Sequence, residues 1–408
     1  MLKGIKILAL IIVAIVTLTG CVNFLEGSTE SISEHQAAPY IRPPTEQISV
    51  SSYEELIETL LELITEHETN AQLLYYPHEG EDVQAELIRA ANEIMYEHPI
   101  GVYSVAILTT EATRIVSHFE VDVEIEFIRS KEQLDSIINA SSERYIRAQM
   151  LNIMSDYREE AVIRTNLQIT EEDIATIVTD TYYQNPRRIV MLPAVTVEIF
   201  PPEGADRIFE INFGNTQSPG MMQRFGDDLE LYVQRNAELA VGDTEPEILL
   251  YLANNLMNST VFDEGVARTT QRHGAQNFAA TAFGALVRGN AIGEGFAMAF
   301  KALCDELGIT CRIVLGQYDG MVHAWNIVEL YGSFYHIDVA MSLVNGIETA
   351  FLKTDVDFDE MYTWDRENTV RCEGELTLED ILGPGEVDIP EDLEDANGEQ
   401  NDNEEESV

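Results

Sequence analysis

The hydrophobic positions of the chain first follow the period of an α-helix and then that of a β-strand. Ser52 and Glu55 have the spacing of a helix capping box, and apolar residues recur at helical spacing from Tyr53 to Ile64. Apolar and acidic positions then alternate, most clearly over residues 120–127 (EVDVEIEF). This order predicts a small α/β unit.

A second block repeats this order of elements. Helical spacing precedes Pro186 as it precedes Pro99, and each block closes on a strand that ends in Glu-Ile-x-Phe, at Phe127 and at Phe213. The interval from the proline to that phenylalanine is 28 positions in the first block and 27 in the second. We therefore predict a duplicated α/β unit, with a chance match as the alternative.

The two ends of the chain are expected to lie outside any folded domain. Residues 7–18 form an apolar run behind a short basic region, which is typical of a signal peptide. Residues 373–408 carry fifteen acidic and no basic side chains, so we interpret them as a solvated tail, with a cation-binding or partner-binding tail as the alternative. The predicted organisation is a signal peptide (1–20), a disordered tether (21–51), a first α/β unit (52–150), a second α/β unit (151–240), a carboxy-terminal domain (244–372) and an acidic disordered tail (373–408).

Leu18-Thr19-Gly20-Cys21 resembles the lipobox of bacterial lipoproteins, in which the cysteine is lipidated after cleavage of the signal peptide. The resemblance implies that a lipid on Cys21 anchors the protein to the cell membrane, on its outer, extracytoplasmic face. An uncleaved amino-terminal anchor, or secretion with Cys21 unmodified, is the alternative.

The charge balance excludes one class of partner. The 408 residues include 24 Lys and Arg against 72 Asp and Glu, which gives a formal net charge of −48. Nucleic-acid binding requires clustered positive charge, so we expect no nucleic-acid partner. Because 45% of the residues are hydrophobic, the chain can nevertheless bury a substantial core.

The candidate chemistry lies in the carboxy-terminal domain. Thr244 and Glu247 again have capping-box spacing, and Gly293 and Gly295 lie where a loop enters a helix that buries Phe296. Free backbone N–H groups at such a helix start can face an anion or a developing oxyanion. A tight turn against a buried helix is the simpler interpretation.

A predicted hairpin brings a histidine and an aspartate together. If the turn at Tyr331-Gly332 has a two-residue loop, His323 faces position 340 and Asp338 lies two residues along on the same face. A histidine held by an aspartate is the base-and-orienter half of a nucleophilic triad. An odd loop length would place Asp338 on the opposite face, and a buried polar network is the structural alternative.

Residues 281–338 resemble the transglutaminase-like superfamily in its bacterial form. The three ordered motifs are Gly293-Glu294-Gly295-Phe296-Ala297 at a helix start, then the strands His323-Ala324-Trp325-Asn326 and Phe334-Tyr335-His336-Ile337-Asp338. The resemblance implies an α+β, papain-like core with a helix packed on an antiparallel sheet, here preceded by the two α/β units. It also implies acyl transfer or hydrolysis of amides or peptides by a nucleophilic Cys, a His base and an orienting Asp.

This chain departs from the family at the nucleophile. Carried across residue by residue, the catalytic positions are Gly293, His323 and Asp338, and a glycine can form neither a thiolate nor an acyl-enzyme. The retained motifs predict a cleft lined by Glu294, Gly295, Phe296, Trp325 and Asn326.

The remaining cysteines are not expected to replace the lost sulfur. Cys304 lies three helical turns beyond Gly293, roughly 16 Å away. Cys311 opens the next strand and Cys372 lies beyond the core, so the disulfide pairing among the three stays open. We expect no cofactor and no metal; a metal held by His323, His336 and Asp338 is the less favoured alternative.

Two functions are compatible with this sequence. The preferred one is a membrane-anchored extracytoplasmic lipoprotein whose transglutaminase-like domain is catalytically inactive and binds a peptide, a cell-wall fragment or a protein. The alternative is an active cysteine-peptidase-like or transglutaminase-like amide hydrolase or acyltransferase that uses an unconventional mechanism, such as direct activation of water by His323 and Asp338.

Overall fold

The computed structural model of the protein describes residues 48–78, 82–358 and 360–382. The predicted signal peptide, Cys21, most of the tether and the tail from residue 383 onward lie outside the described residues. Within the described ranges, no helix combines the length and the apolar character that crossing a membrane requires.

Helices and strands alternate through the described chain. The helices are α1 (Tyr53–Glu66), α2 (Val83–Tyr96), α3 (Pro99–Ser104), α4 (Lys131–Asp135), α5 (Glu143–Ser155), α6 (Glu171–Gln184), α7 (Pro219–Glu238), α8 (Glu245–Ser259), α9 (Glu264–Thr269), α10 (Ala282–Leu286), α11 (Gly293–Glu306), α12 (Val339–Asn345), α13 (Ile347–Ala350) and α14 (Leu378–Leu382), with a 3-10 helix at Phe278–Ala280. The strands are β1 (Ile48–Val50), β2 (Asn70–Tyr75), β3 (Val105–Arg114), β4 (Phe119–Phe127), β5 (Ile138–Asn139), β6 (Glu160–Thr165), β7 (Ala194–Phe200), β8 (Arg207–Gly214), β9 (Val261–Phe262), β10 (Asn290–Ala291), β11 (Cys311–Tyr318), β12 (Met321–Leu330), β13 (Ser333–Ile337) and β14 (Tyr362–Trp364).

The first two four-stranded sheets have the same strand order. The first is β1-β2-β4-β3 and the second is β5-β6-β8-β7, and both share the order strand, helix, strand, helix, strand, strand, to which the first unit adds the short helix α3 before β3. This equivalence supports the predicted duplication. The boundary predicted between residues 150 and 151 falls inside α5, however, so the repeated elements divide between Phe127 and Ile138 instead. The divide differs from the prediction because α5 is the counterpart of α1 and belongs to the second unit.

Side chains cap the helices that carry these units. Half of the capping box predicted at Ser52 is present, since its hydroxyl accepts a hydrogen bond from the backbone N–H of Glu55, while the Glu55 carboxylate accepts from Ser51 instead of from the Ser52 N–H. In the second unit, Thr170 and Asp173 form a reciprocal capping box at the start of α6. The capping box predicted at the start of α8 is also present.

The two α/β units meet through a small apolar cluster. Tyr103 in α3 packs with Val162 and Ile208, which lie on the second sheet. Beside this cluster the guanidinium of Arg129 donates to the carboxylate of Glu210 at 2.6 Å, with both side chains largely shielded from water. The positive charge of Arg129 compensates the negative charge of the largely buried Glu210 carboxylate. The ion pair therefore lowers the free-energy cost of removing that carboxylate from water.

The carboxy-terminal domain is a helix packed on an antiparallel sheet, and the predicted α+β class is confirmed. Its sheet has the order β13-β12-β11-β14, and α11 packs against β12 and β11. Every residue of α11 from Gly293 to Cys304 is buried, so this helix is the centre of the domain. One continuous core runs from Ala140 to Cys372 and joins the second α/β unit to this domain.

Ion pairs also connect the second α/β unit to the carboxyl end of α11. Arg187, three residues after α6, pairs with Glu230 on α7 and with Glu306, the last residue of α11. The second α/β unit therefore contacts α11 at its carboxyl end.

Replacing Thr170 with Ala should lower the free energy of unfolding by about 1 kcal/mol, because the start of α6 loses its capping hydroxyl. Urea denaturation followed by circular dichroism measures the change. Thr170→Ser, which keeps the hydroxyl, is the control and should remain within a few tenths of a kcal/mol of the parent. An equal loss in both variants would show that the cap does not stabilise α6.

Candidate active site

The start of α11 is in direct contact with a histidine ring. Gly293 is the first helical residue, and the imidazole of His323 on β12 lies over it. A Cβ atom placed on Gly293 would lie 2.2 Å from both Nδ1 and Cε1 of that ring. Non-bonded carbon atoms do not approach so closely, so the imidazole fills the space that any side chain at position 293 would need.

The other face of the imidazole is held by an aspartate. Nε2 of His323 lies 2.6 Å from Oδ2 of Asp338. The hairpin has the predicted two-residue loop, since Leu330 pairs with Ser333 and Asn326 with Ile337. That register carries Asp338 to the face of His323, as the sequence predicted.

Three donors fix the carboxylate of Asp338. Besides His323, the hydroxyl of Tyr362 donates to Oδ2 at 3.0 Å, and the backbone N–H of Met341 donates to Oδ1 at 3.0 Å because Asp338 caps α12. Burial and the negative charge of Asp338 raise the pKa of the Tyr362 hydroxyl well above its ordinary value, so this hydroxyl stays a proton donor. The arrangement orients an imidazole whose Nδ1 edge faces Gly293, where no reactive group is present.

The segment that contains these residues matches a known family. The family model of the transglutaminase-like superfamily matches residues 236–339, about a quarter of the chain, and this range includes Gly293, His323 and Asp338. The chain carries a transglutaminase-like domain. No curated protein matches the sequence.

Solved structures give weaker similarities to the chain. A transglutaminase crystal structure is 12% identical, with 62% of this chain and 68% of that chain covered and a TM-score of 0.26. A "putative cysteine protease" from Cytophaga hutchinsonii is 14% identical over 45% of this chain and 65% of its own, with a TM-score of 0.23. A "putative protease" from Parabacteroides distasonis ATCC 8503 is 6% identical over 66% and 40%, with a TM-score of 0.19. Because these scores are low, the assignment rests on the family model.

A second histidine of the transglutaminase-like domain is locked into one neutral form. The indole N–H of Trp325 donates to Nδ1 of His336 at 3.0 Å, and Nε2 of His336 lies 2.9 Å from Oδ1 of Asp355. An indole can only donate, so Nδ1 must keep its lone pair and the proton must sit on Nε2. Burial lowers the pKa of His336 below its ordinary value, which agrees with a neutral ring.

The one group of possible metal ligands among the described residues does not fit a metal. Ligand atoms of His336, Asp355 and Cys372 lie within 4.8 Å of one another. The imidazole would have to bind through Nε2, the atom that carries the proton because Trp325 occupies Nδ1. Burial also raises the pKa of the Cys372 thiol to about 12, which disfavours a thiolate ligand. The set with His323, His336 and Asp338 is not assembled, since His336 pairs with Asp355.

No described cysteine lies where the family places its nucleophile. Cys304, Cys311 and Cys372 are buried free thiols. Burial, and the nearby thiol of Cys311, raise the pKa of the Cys304 thiol well above its ordinary value. Cys372 donates its backbone N–H to Asp355. The buried thiol of Cys304, near the end of α11, therefore remains protonated and is not poised for nucleophilic attack.

The residues predicted to line a cleft lie in the core. Glu294 is 2% exposed, and Phe296, Trp325 and Asn326 are no more exposed than that. Gly295 is also buried, with a backbone oxygen of Ala279 only 2.3 Å from where its Cβ would be. Sequence motifs are equally compatible with residues packed in the core and with residues that line an open groove, so they do not distinguish these two arrangements.

Sequence reasoning missed the residues that surround Glu294. The hydroxyl of Tyr183 on α6 donates to Oε1 of Glu294 at 2.8 Å, and the backbone N–H of Gly274 donates to the same oxygen at 3.0 Å. Tyr183 belongs to the second α/β unit, 111 positions before Glu294. No sequence spacing indicates that Tyr183 and Glu294 are in contact. The sequence around Tyr182, Tyr183 and Pro186 indicates only that a helix ends there.

Gly293→Ala should lower the free energy of unfolding by about 1–3 kcal/mol, because the added methyl group forces the His323 ring away from Asp338. Urea denaturation measures the loss. In the background of His323→Ala the same change should cost much less, since the space is then empty.

Gly220→Ala is the matched control for this double-mutant cycle. Gly220 lies in the first turn of α7 with nothing near the position of its Cβ, so it should be neutral or slightly stabilising. Additive effects of the changes at 293 and 323 would mean that the two residues do not compete for space.

The folded protein should lose stability as the pH falls below about 6.5, because the unfolded His336 then takes up a proton that the buried ring does not accept. One such group contributes at most about 1.4 kcal/mol per pH unit. Trp325→Phe frees Nδ1 of His336 for protonation and should flatten this dependence. Urea denaturation from pH 5 to pH 8 measures both slopes.

Trp364→Phe provides the comparison for that experiment. Its ring also contacts His336, but its indole is not the donor to Nδ1. It should keep the slope of the parent, and an equally flattened slope in Trp364→Phe would contradict the assigned tautomer.

Proposed function

We propose that this chain is a membrane-anchored extracytoplasmic lipoprotein whose transglutaminase-like domain does not catalyse acyl transfer and instead binds a peptide, a cell-wall fragment or a protein. The domain itself rests on the match at residues 236–339. The loss of catalysis, the anchor and the binding role are inferences from the residues at the site and in the leader.

One observation supports the loss of catalysis above all others. The imidazole of His323 lies where a side chain of residue 293 would begin, so the position is closed as well as chemically empty. A nucleophilic side chain at position 293 would fit only if the imidazole of His323 moved to a different position. Loss of a triad nucleophile usually reduces the rate by several orders of magnitude.

The surroundings of the His-Asp pair also disfavour direct hydrolysis. His323 is 6% exposed and Asp338 is 1% exposed, and the carboxylate already has three donors. A water molecule activated by this imidazole would have to enter beside Gly293, where the packing is closed. The pair is better suited to fix β12, β13 and α12 relative to each other.

The proposed location rests on the leader sequence. The apolar run of residues 7–18 and Leu18-Thr19-Gly20-Cys21 together are typical of an exported, lipid-anchored protein. A surface with a formal net charge of −48 suits a protein that meets solvent and cationic groups outside the membrane. Peptides and cell-wall fragments with amino groups are such partners.

The test measures turnover and binding with the full chain. Incubation with a library of peptides and glutamine amides should give no turnover above that of His323→Ala, while isolated cell walls or peptides should retain the protein in sedimentation or anisotropy assays. Asp338→Asn is a second, nearly isosteric variant in case His323→Ala does not fold, and circular dichroism checks both. Turnover that disappears in both variants would refute the inactive assignment in favour of an unconventional hydrolase or acyltransferase.

A further inference from the structure

One face of the first sheet is acidic. Along β4, buried apolar side chains alternate with acidic ones, so all the acidic side chains lie on the side of the sheet that faces water. On β3 the exposed Glu111 lies directly opposite Asp122. We use the name acidic face for the five carboxylates on this side of β3 and β4: Glu111, Glu120, Asp122, Glu124 and Glu126.

The charges of the acidic face are not compensated within the described ranges. No ion pair of the described residues includes any of its five carboxylates. The side-chain amide of Gln72 donates to Oδ1 of Asp122 at 3.0 Å, which adds no charge. Like charges directly opposite each other on neighbouring strands are destabilising, as are Glu111 and Asp122. A cation supplied by a partner would remove this repulsion.

The duplication provides an equivalent face for comparison. The shared ending Glu-Ile-x-Phe aligns Glu124 on β4 with Glu210 on β8. The two strands hold the same place in the two strand orders, and each glutamate precedes an isoleucine that is buried on the opposite side of the sheet. The two glutamates therefore project from equivalent faces.

The first unit covers the equivalent face of the second sheet. Tyr103 of α3 packs on apolar residues of that face, and the guanidinium of Arg129 donates to Oε2 of Glu210 at 2.6 Å. As a result Glu210 is only 9% exposed, whereas Glu124 is exposed. The chain thus contains one copy of this face on which an arginine is bound and one copy whose glutamate faces water.

The two copies differ in a way that indicates the chemistry of a partner. In the second sheet Ile208 faces Phe200 across the strands, and the equivalent pair in the first sheet is Asp122 and Glu111. The first sheet therefore offers charge where the second offers apolar surface, so cations suit it better than a tyrosine ring does. Alternate residues of a strand lie about 7 Å apart, which matches every second residue of an extended partner segment.

We propose that the acidic face is a docking surface for a partner protein that presents arginine side chains on an extended segment, with Glu124 in the role that Glu210 has towards Arg129. A guanidinium can bind a carboxylate through two parallel N–H donors, which favours arginine over lysine. A second copy of this chain is a poorer occupant, because two chains of formal charge −48 repel each other. The surface lies outside residues 236–339, so the inference goes beyond the binding role proposed for the transglutaminase-like domain.

The test removes charge from the acidic face and keeps the volume of its side chains. The variant combines Asp122→Asn with Glu124→Gln, at two exposed positions. Because the repulsion between Glu111 and residue 122 is lost, this variant should be at least as stable as the parent in urea denaturation. The matched control combines Glu58→Gln with Glu62→Gln, which removes the same charge from exposed positions on α1.

Binding is measured by fluorescence anisotropy with the full chain and a labelled peptide in which arginine and alanine alternate. A second peptide has citrulline, which is neutral and of nearly the same shape, in place of each arginine. The double variant of the acidic face should bind the arginine peptide at least tenfold more weakly than the parent, while the control remains within about twofold. The citrulline peptide should not bind measurably, and binding of the arginine peptide should weaken as salt is raised from about 50 mM to about 300 mM.

Four results would overturn the inference. Equal weakening in the control variant would assign binding to the overall negative charge, and equal binding of the citrulline peptide would exclude the guanidinium groups. A dimer of the parent that the double variant abolishes would make a second copy the occupant. A loss of stability in the double variant would give these carboxylates a structural role instead.

Discussion

The carboxy-terminal domain depends on the approach of one imidazole to one α-carbon. Because Gly293 has no side chain, β12 can present His323 against the backbone of α11. The ring is then locked from its far edge by Asp338, which is itself fixed by the start of α12 and by Tyr362. A single missing Cβ therefore sets the distance between the central helix and the sheet that covers it.

Around this contact several buried polar side chains are linked by hydrogen bonds. Trp325, His336 and Asp355 form one hydrogen-bonded chain, and Tyr183 and Glu294 belong to another that reaches into the second α/β unit. Buried polar groups that are fully paired specify one arrangement of the core, whereas unpaired ones are costly.

The sequence predicted the local parts of this site and missed its long-range parts. The hairpin register, the helix that begins at Gly293 and the caps at Ser52 and Thr244 follow from short-range periodicity, which a chain displays directly. The distance from Gly293 to the His323 ring depends on how a helix lies on a sheet, and no spacing encodes it. Asp355 and Gly274 come from irregular segments and give no periodic signal. The predicted divide between the repeats falls inside the helix at 143–155, and the order of the elements places that helix in the second unit.

The two attachments of α11 to the second α/β unit have a consequence for how this architecture can be inherited. Tyr183 reaches the first turn of the helix and Arg187 reaches its last residue, so one short stretch of chain spans the whole length of α11. A gene fragment cut at the family boundary near residue 236 would encode a central helix stripped of both partners. If the transglutaminase-like domain were transferred to another protein, the second α/β unit would therefore have to be transferred with it. Otherwise the residues at both ends of α11 would have to change together.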